Sequence, residues 1–290
     1  MTAGSFYQAN PIRRMRSTKA EVEHRRAGLY EIIKAMRPMT VRQVFYQATV
    51  RDLVEKTEAG YNKVQTDLVL MRRSGDLPYD WLADNTRWQR RPRTFSSVEQ
   101  ALQDTARLYR KSLWDGANAY VEIWLEKDAL SGVVLPVTSM FDVPLMVARG
   151  YASLSFLHSA AEYINDIEIP TYIYHLGDHD PSGVNAGSKI EQTLREMAPE
   201  SVIHFERLAV TQEQITEWSL PSRPTKASDP RSRGFAGRSV ELDAIDPDNL
   251  REIVRTAIER HLPRHQFEVL KAAEQSEREI ISRLVSGMAA

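Results

Sequence analysis

The stretch Thr171-Tyr172-Ile173-Tyr174-His175-Leu176-Gly177-Asp178-His179-Asp180-Pro181-Ser182-Gly183 changes character halfway along. Its first six residues are β-branched, aromatic or aliphatic and read as a strand, because such side chains fit a pleated, half-buried surface. Acidic and turn-forming residues follow, and then a helical run over 185–198. Working outward, the same alternation recurs. Residues 119–125 (Ala119-Tyr120-Val121-Glu122-Ile123-Trp124-Leu125) read as a strand, followed by a helical stretch to about Met140. Residues 144–148 (Pro144-Leu145-Met146-Val147-Ala148) read as a second strand, followed by a helical run over 153–166. Val202-Ile203-His204-Phe205 reads as a fourth. Strands alternating with helices predict an α/β domain with a parallel sheet and right-handed crossovers. Such sheets bind ligands at the carboxyl ends of their strands.

Acidic residues stand at those ends. Glu126 directly follows the first strand, and Asp178 and Asp180 directly follow the third. Residues two apart in an extended segment face the same way, so Asp178 and Asp180 can converge, and Glu126 joins them if the first and third strands are neighbours. Three carboxylates without histidine or cysteine partners form a hard-oxygen set suited to Mg²⁺ or Mn²⁺. The plainer alternative is that Asp178 caps the next helix and Asp180 makes a turn. His179 points away from both aspartates and reads either as structural or as a support behind the acidic residues, and His175 as a satisfied core histidine rather than a ligand.

The N-terminal part has a different rhythm. Residues 18–37 space Val22, Leu29, Ile32 and Ile33 along one helical stripe, and Pro38 ends it. Thr40 followed by Gln43 is a capping box that opens a second helix, with Val41, Val44, Phe45 and Ala48 as its buried stripe. Tyr46 falls outside that stripe, one turn after Arg42, although Val50 and Leu53 lie near the same side. A third helix after Gly60 puts Tyr61, Val64, Leu68 and Met71 on one face and carries the polar residues Lys63, Arg72 and Arg73. Gly75-Asp76-Leu77-Pro78 is a turn. Three short helices, a turn and a short extended segment predict a helix-turn-helix or winged-helix module, which places one helix in the DNA major groove. Lys63, Arg72 and Arg73 are then candidate nucleic-acid contacts. Residues 87–93 read as a basic connector, and 98–114 as one more helix. Residues 221–238, rich in Pro, Ser, Gly and Arg, read as a loop. Its cations Arg223, Lys226, Arg231, Arg233 and Arg238 either grip a duplex or belong to a mobile loop. Residues 247–288 read as helical with a break near Pro263. The expected division is 1–95, a connector over 96–115, an α/β domain over 116–210, and an extension over 211–290.

Charge supports this division. Residues 1–95 carry 18 Lys and Arg against 10 Asp and Glu, and the remainder carries 20 against 29, in a chain whose net charge is −1. A basic module on an acidic body points to a polyanionic partner. The 290 residues contain no cysteine, which excludes a disulfide scaffold, thiolate metal sites and a cysteine nucleophile. They also contain no apolar run near the roughly 20 residues that span a bilayer and no secretory signal at Met1–Arg16, so a cytoplasmic protein, nucleoid-associated if it binds DNA, is expected.

Thr40-Val41-Arg42-Gln43-Val44-Phe45-Tyr46-Gln47 resembles the active-site helix of the topoisomerase VI A subunit and its meiotic double-strand-break relative. That family has a threonine, an arginine two residues on, and a Tyr-Tyr pair whose second tyrosine attacks DNA. Arg42 and Tyr46 match the arginine and the second tyrosine, and Phe45 replaces the first. Leu125-Glu126-Lys127 and Asp178-His179-Asp180-Pro181-Ser182-Gly183 resemble its Toprim signatures, in the family's order. Gly150-Tyr151 resembles its glycine-tyrosine step, and Val240-Glu241-Leu242-Asp243-Ala244-Ile245 is a weaker echo. At this length the chain is most similar to the compact stand-alone Mini-A relatives. The resemblance implies a winged helix followed by a Toprim domain, and metal-dependent transesterification by Tyr46 to a 5′-phosphotyrosyl link. It implies Mg²⁺ (or Mn²⁺) on Glu126, Asp178 and Asp180, with Glu126 as a possible acid/base. It assigns Arg42 to charge on the transferring phosphate, makes Lys127 a candidate nucleic-acid contact where the plain alternative is a solvated lysine at a strand end, and implies a homodimer in which one protomer's tyrosine meets the other's metal on double-stranded DNA. No glycine-rich phosphate loop is present, so any ATP-driven strand passage needs a separate B-type ATPase subunit. Two alternatives stay open: a Toprim nuclease using metal-activated water, and a non-catalytic DNA-binding protein.

Overall fold

Four strands, β1 (Tyr120–Leu125), β2 (Leu145–Val147), β3 (Thr171–Leu176) and β4 (Ile203–Ala209), form one sheet in the order β2-β1-β3-β4, and every pairing is parallel. The computed structural model describes residues 17–83, 92–224, 235, 238–262 and 264–288. Most of the basic connector over 87–93, the loop cations Lys226, Arg231 and Arg233, Met1–Arg16 and Pro263 lie outside them.

Alternation along β1 assigns each residue to a layer. Trp124, with Ile173 of β3, packs against α6 (Leu154–Asn165) and α7 (Pro181–Met197) through Leu157, Ala160, Ile164, Ile190 and Leu194. Val121, Ile123 and Leu125 face the other way and meet α5 (Ser131–Met140) and α9 (Pro247–Glu259). The same apolar cluster continues into the N-terminal helices α1 (Lys19–Met36), α2 (Val41–Val50) and α3 (Glu58–Ser74), through Leu29, Ile33, Val44, Ala48, Val64 and Leu68. The basic module and the sheet therefore share one core.

Capping chemistry sets the helix boundaries. Thr18 and Thr40 each form a complete capping box, with Glu21 and Gln43. Gly75 closes α3 in the left-handed region (φ 85°), where glycine carries no Cβ penalty. Helix α7 starts at Pro181, four residues before the run read from periodicity, because Asp180 caps it and proline suits the first helical position. Helix α4 (Val98–Leu108) stops short of the expected 114. Tyr109, Arg110 and Lys111 instead bond to Glu274 and Glu277 of α10 (Arg264–Met288). The short α8 (Gln212–Glu217) was not expected, although its Thr211/Gln214 capping box is visible in the sequence. The extended segment after α3 pairs only as a parallel bridge, Met39 with Leu82, and no hairpin wing occurs among the described residues. No helix of the described residues is long and apolar enough to cross a membrane.

Candidate functional site

The register of β1 on β3 builds the site. Leu125 lies opposite Leu176, so the two chains leave the sheet side by side, and Glu126 meets the loop that follows β3. The Glu126 amide donates to the Leu176 carbonyl (2.9 Å), and the Asp178 amide donates to Glu126 Oε2 (3.0 Å). A Cβ at Gly177 would stand 2.6 Å from Glu126 Oε2, and one at Gly183 would stand 3.0 Å from it and clash with the Asp178 carbonyl. Glycine at both positions allows the loop to close over the carboxylate. Burial, reinforced by Asp178, raises the Glu126 pKa.

Asp180, not Asp178, caps the following helix: its Oδ1 accepts the Gly183 amide at 2.8 Å. His179 is tied to two neighbouring segments. Its backbone bridges to Val240 and its ring stands 3.3 Å from the Val210 carbonyl. His175 is buried as expected but is not satisfied, since neither ring nitrogen has a hydrogen-bond partner among the described residues. Burial, with Arg207 nearby, pushes its pKa down to about 3 and keeps it neutral.

Arg207 of β4 was not singled out by the sequence. Its Nε donates to the Val210 carbonyl (3.1 Å), Nη1 to Gly183 (3.3 Å), and Nη2 to the carbonyls of Gly177 (2.8 Å) and Asp178. One guanidinium thus pins the acidic loop by its backbone, with a positive charge behind Glu126, Asp178 and Asp180.

The weak echo at 240–245 proves to be part of the site. The Leu242 amide donates to Asp178 Oδ1 (2.8 Å). Lys127 Nζ lies 3.0 Å from the same oxygen, 2.7 Å from Asp243 Oδ2 and 3.6 Å from Glu241 Oε2. Burial opposes the charge on Lys127, but these three carboxylates outweigh it and raise the pKa. Burial also raises Asp178 despite the ammonium beside it. Glu241 accepts Arg42 Nη1 at 2.7 Å on Oε2 and Arg223 Nη1 at 2.9 Å on Oε1, and Thr40 Oγ1 donates to Asp243 Oδ1 at 3.2 Å. These contacts tie α2 to the carboxylate loop of its own chain.

Tyr46 does not face outward. It is 7% exposed, its ring stands 5.6 Å from that of Phe45, and Lys56 Nζ lies 5.7 Å above it. The helical wheel counts only α2, whereas Tyr46 is covered by neighbours from other segments. Burial, followed by Glu241, pushes its pKa up to about 12 against the opposing pull of Arg42 and Lys127.

A cleft of about 720 Å³ opens between α2, α3 and the turn after β1. Arg42, Arg72, Lys127 and Arg149 line it, with Asp128, Glu241 and Asp243 as the acids. Of the proposed nucleic-acid contacts, Arg72 and Lys127 are in this cleft, whereas Lys63 and Arg73 are exposed on α3 and do not line it.

The all-oxygen donor set suits a hard cation, but the side chains are committed to protein partners. Among the described residues, no three His, Cys, Asp or Glu side chains stand close enough to hold a metal ion. No protein-family model and no curated protein matches the chain.

Proposed function

We propose that this protein cleaves double-stranded DNA by tyrosine transesterification. Tyr46 is the nucleophile, Arg42 steadies charge on the transferring phosphate, and Glu126 serves the leaving 3′-oxygen. One observation carries the reading. Residues far apart in the chain, on the tyrosine's own helix, at the end of β1 and after β3, are tied into one bonded network beside a cation-lined cleft. In the reaction the phenol oxygen bonds to phosphorus, the bond to the 3′-oxygen breaks, the phenol gives up its proton and the 3′-oxygen gains one. Glu126, Asp178 and Asp180 would hold Mg²⁺ or Mn²⁺ once released from the protein partners that engage them here, and the ion would supply charge neutralisation at the phosphate. The winged-helix and Toprim names for the two parts, the homodimer, the role of Lys63, Arg72, Arg73 and Lys127 on DNA, and a separate ATPase subunit belong to the same proposal.

The burial of Tyr46 favours a second reading, in which activated water attacks and Tyr46 is a core residue. End-labelled duplex DNA incubated with protein and Mg²⁺, then run on a denaturing gel, separates the two. A protein-linked band supports transesterification, and free cut ends support the nuclease. Neither product is the outcome for a protein that only binds DNA.

A further inference from the structure

Glu241 is buried, and each of its carboxylate oxygens meets a guanidinium. Oε1 accepts Arg223 Nη1 at 2.9 Å and Oε2 accepts Arg42 Nη1 at 2.7 Å. Burial works against this charge, but Lys127, Arg42 and Arg223 outweigh it and hold the Glu241 pKa down. Lys127 is matched by Asp178 and Asp243, which lie closer to its ammonium than Glu241 does. Further positive charge gathers beside the pair of arginines. Lys56 Nζ and Arg238 Nη2 both donate to the Ser222 carbonyl (3.2 and 3.5 Å), and neither has a carboxylate partner among the described residues. Burial, followed by the like charge of Arg238, lowers the Lys56 pKa against the pull of Glu241. One carboxylate therefore stands among more cations than it can neutralise. It also stands between the cleft, which it lines with Arg42, and the ring of Tyr46, which lies under Lys56.

We propose that Arg42, Arg223 and Lys56 form a seat for one backbone phosphate of DNA, which the Glu241 carboxylate fills in the free protein and leaves when DNA binds. The chemistry of the two anions supports the exchange. A carboxylate and a phosphodiester each carry a single negative charge on two oxygens, and guanidinium groups bind both by the same paired geometry. A structural ion pair needs one cation, whereas the surplus here is what a polyanion would neutralise. Glu241 then sets the affinity for DNA, because every binding event must break its two arginine bonds.

The proposal rests on the reading that DNA is the substrate and extends it to Arg223 and Lys56. The test titrates fluorescent duplex DNA, in EDTA and over a salt series, with full-length wild type, Glu241→Gln and Asp128→Asn. Asp128 lines the same cleft and pairs with Arg149 at 2.8 Å, so its variant corrects for net charge. Glu241→Gln should bind about tenfold more tightly than Asp128→Asn, with a log–log slope about 0.9 steeper than wild type. Adding Arg223→Gln to Glu241→Gln should abolish the gain. An equal gain in both single variants, or none in folded Glu241→Gln, overturns the proposal. Calorimetry with inorganic phosphate tells a free anion from DNA: uptake by Glu241→Gln without tighter DNA binding also overturns it. If circular dichroism shows Glu241→Gln unfolded, Arg223→Gln alone decides. A slope about 0.9 shallower than wild type upholds the seat, and an unchanged slope overturns it. The expected gain, together with no covalent product from wild type and Mg²⁺, upholds the seat while removing transesterification from the proposed function.

Discussion

A phenol in an apolar pocket resists ionisation, and Tyr46 has the carboxylate of Glu241 adding to that resistance. At neutral pH it is protonated, and below a pKa of about 12 its phenolate fraction rises tenfold with each pH unit. If the phenolate attacks, cleavage under single-turnover conditions rises steeply between pH 7 and 9; a flat profile there contradicts attack by an ionised Tyr46. Glu122 is a second residue with a legible pH signature. It is buried on β1 and accepts Tyr120 Oη (3.0 Å) and Trp124 Nε1 (2.7 Å), yet burial leaves its pKa raised. A carboxyl whose folded pKa is raised stabilises the fold fully at pH below its unfolded value, and that contribution is lost as pH climbs through the folded value. Glu122→Gln keeps the shape and removes the charge; its one amide oxygen can still accept Trp124 Nε1, while the Tyr120 hydroxyl turns to accept from the new NH2 group. Its melting temperature should exceed that of wild type by a few degrees at pH 8, with the gain shrinking toward pH 4.5. An equal gain at both values contradicts an ionisation penalty.

At the scale of elements, the acidic loop after β3 is held from three directions: the Glu126 carboxylate, the N-cap of α7 and the Arg207 guanidinium. Arg207→Met removes bonds to four carbonyls and should cost about 3 kcal/mol in urea denaturation. A change within experimental error shows that the loop holds itself. Asp180→Ala loses a helix cap and should cost about 1 kcal/mol even in EDTA, so an activity loss in that variant needs the stability measurement beside it. The elements themselves were largely readable. β-Branched and aromatic runs marked the strands, Thr40/Gln43 marked α2, and acids at strand ends marked the loop. The docking of 241–243 onto Asp178 and Arg42 was not readable, because it joins residues up to 199 apart and no local periodicity encodes such a meeting. Tyr46 was misplaced for the same reason. Its own helix left it outside the apolar stripe, while Lys56, beyond the end of that helix, lies over its ring. Arg207 carried no motif; only its bonds to the loop identify it.

At the scale of the whole molecule, the N-terminal helices and the sheet share one apolar core, so the cations those helices carry stand on a body that the rest of the chain helps to support. Full-length protein should bind duplex DNA with an affinity that falls steeply with salt, the log–log slope gaining about −0.9 per phosphate neutralised. Salt-independent binding removes the electrostatic role assigned to Arg42, Arg72 and Lys127. The tie between α2 and 241–243 lies within one chain, so in a shared-site dimer the approach of DNA must bring the scissile phosphate to a tyrosine that its own protomer already holds near carboxylates. The most direct measurement is of the bond itself. Protein trapped on duplex DNA with Mg²⁺, digested with nuclease and then trypsin, yields peptides whose masses report any attached nucleotide. The account predicts that the peptide containing Tyr46 gains a nucleotide joined through its 5′-phosphate, and that Tyr46→Phe gives no adduct on any peptide. Cut DNA with an unmodified Tyr46 peptide, and equal cutting by folded Tyr46→Phe, would contradict it.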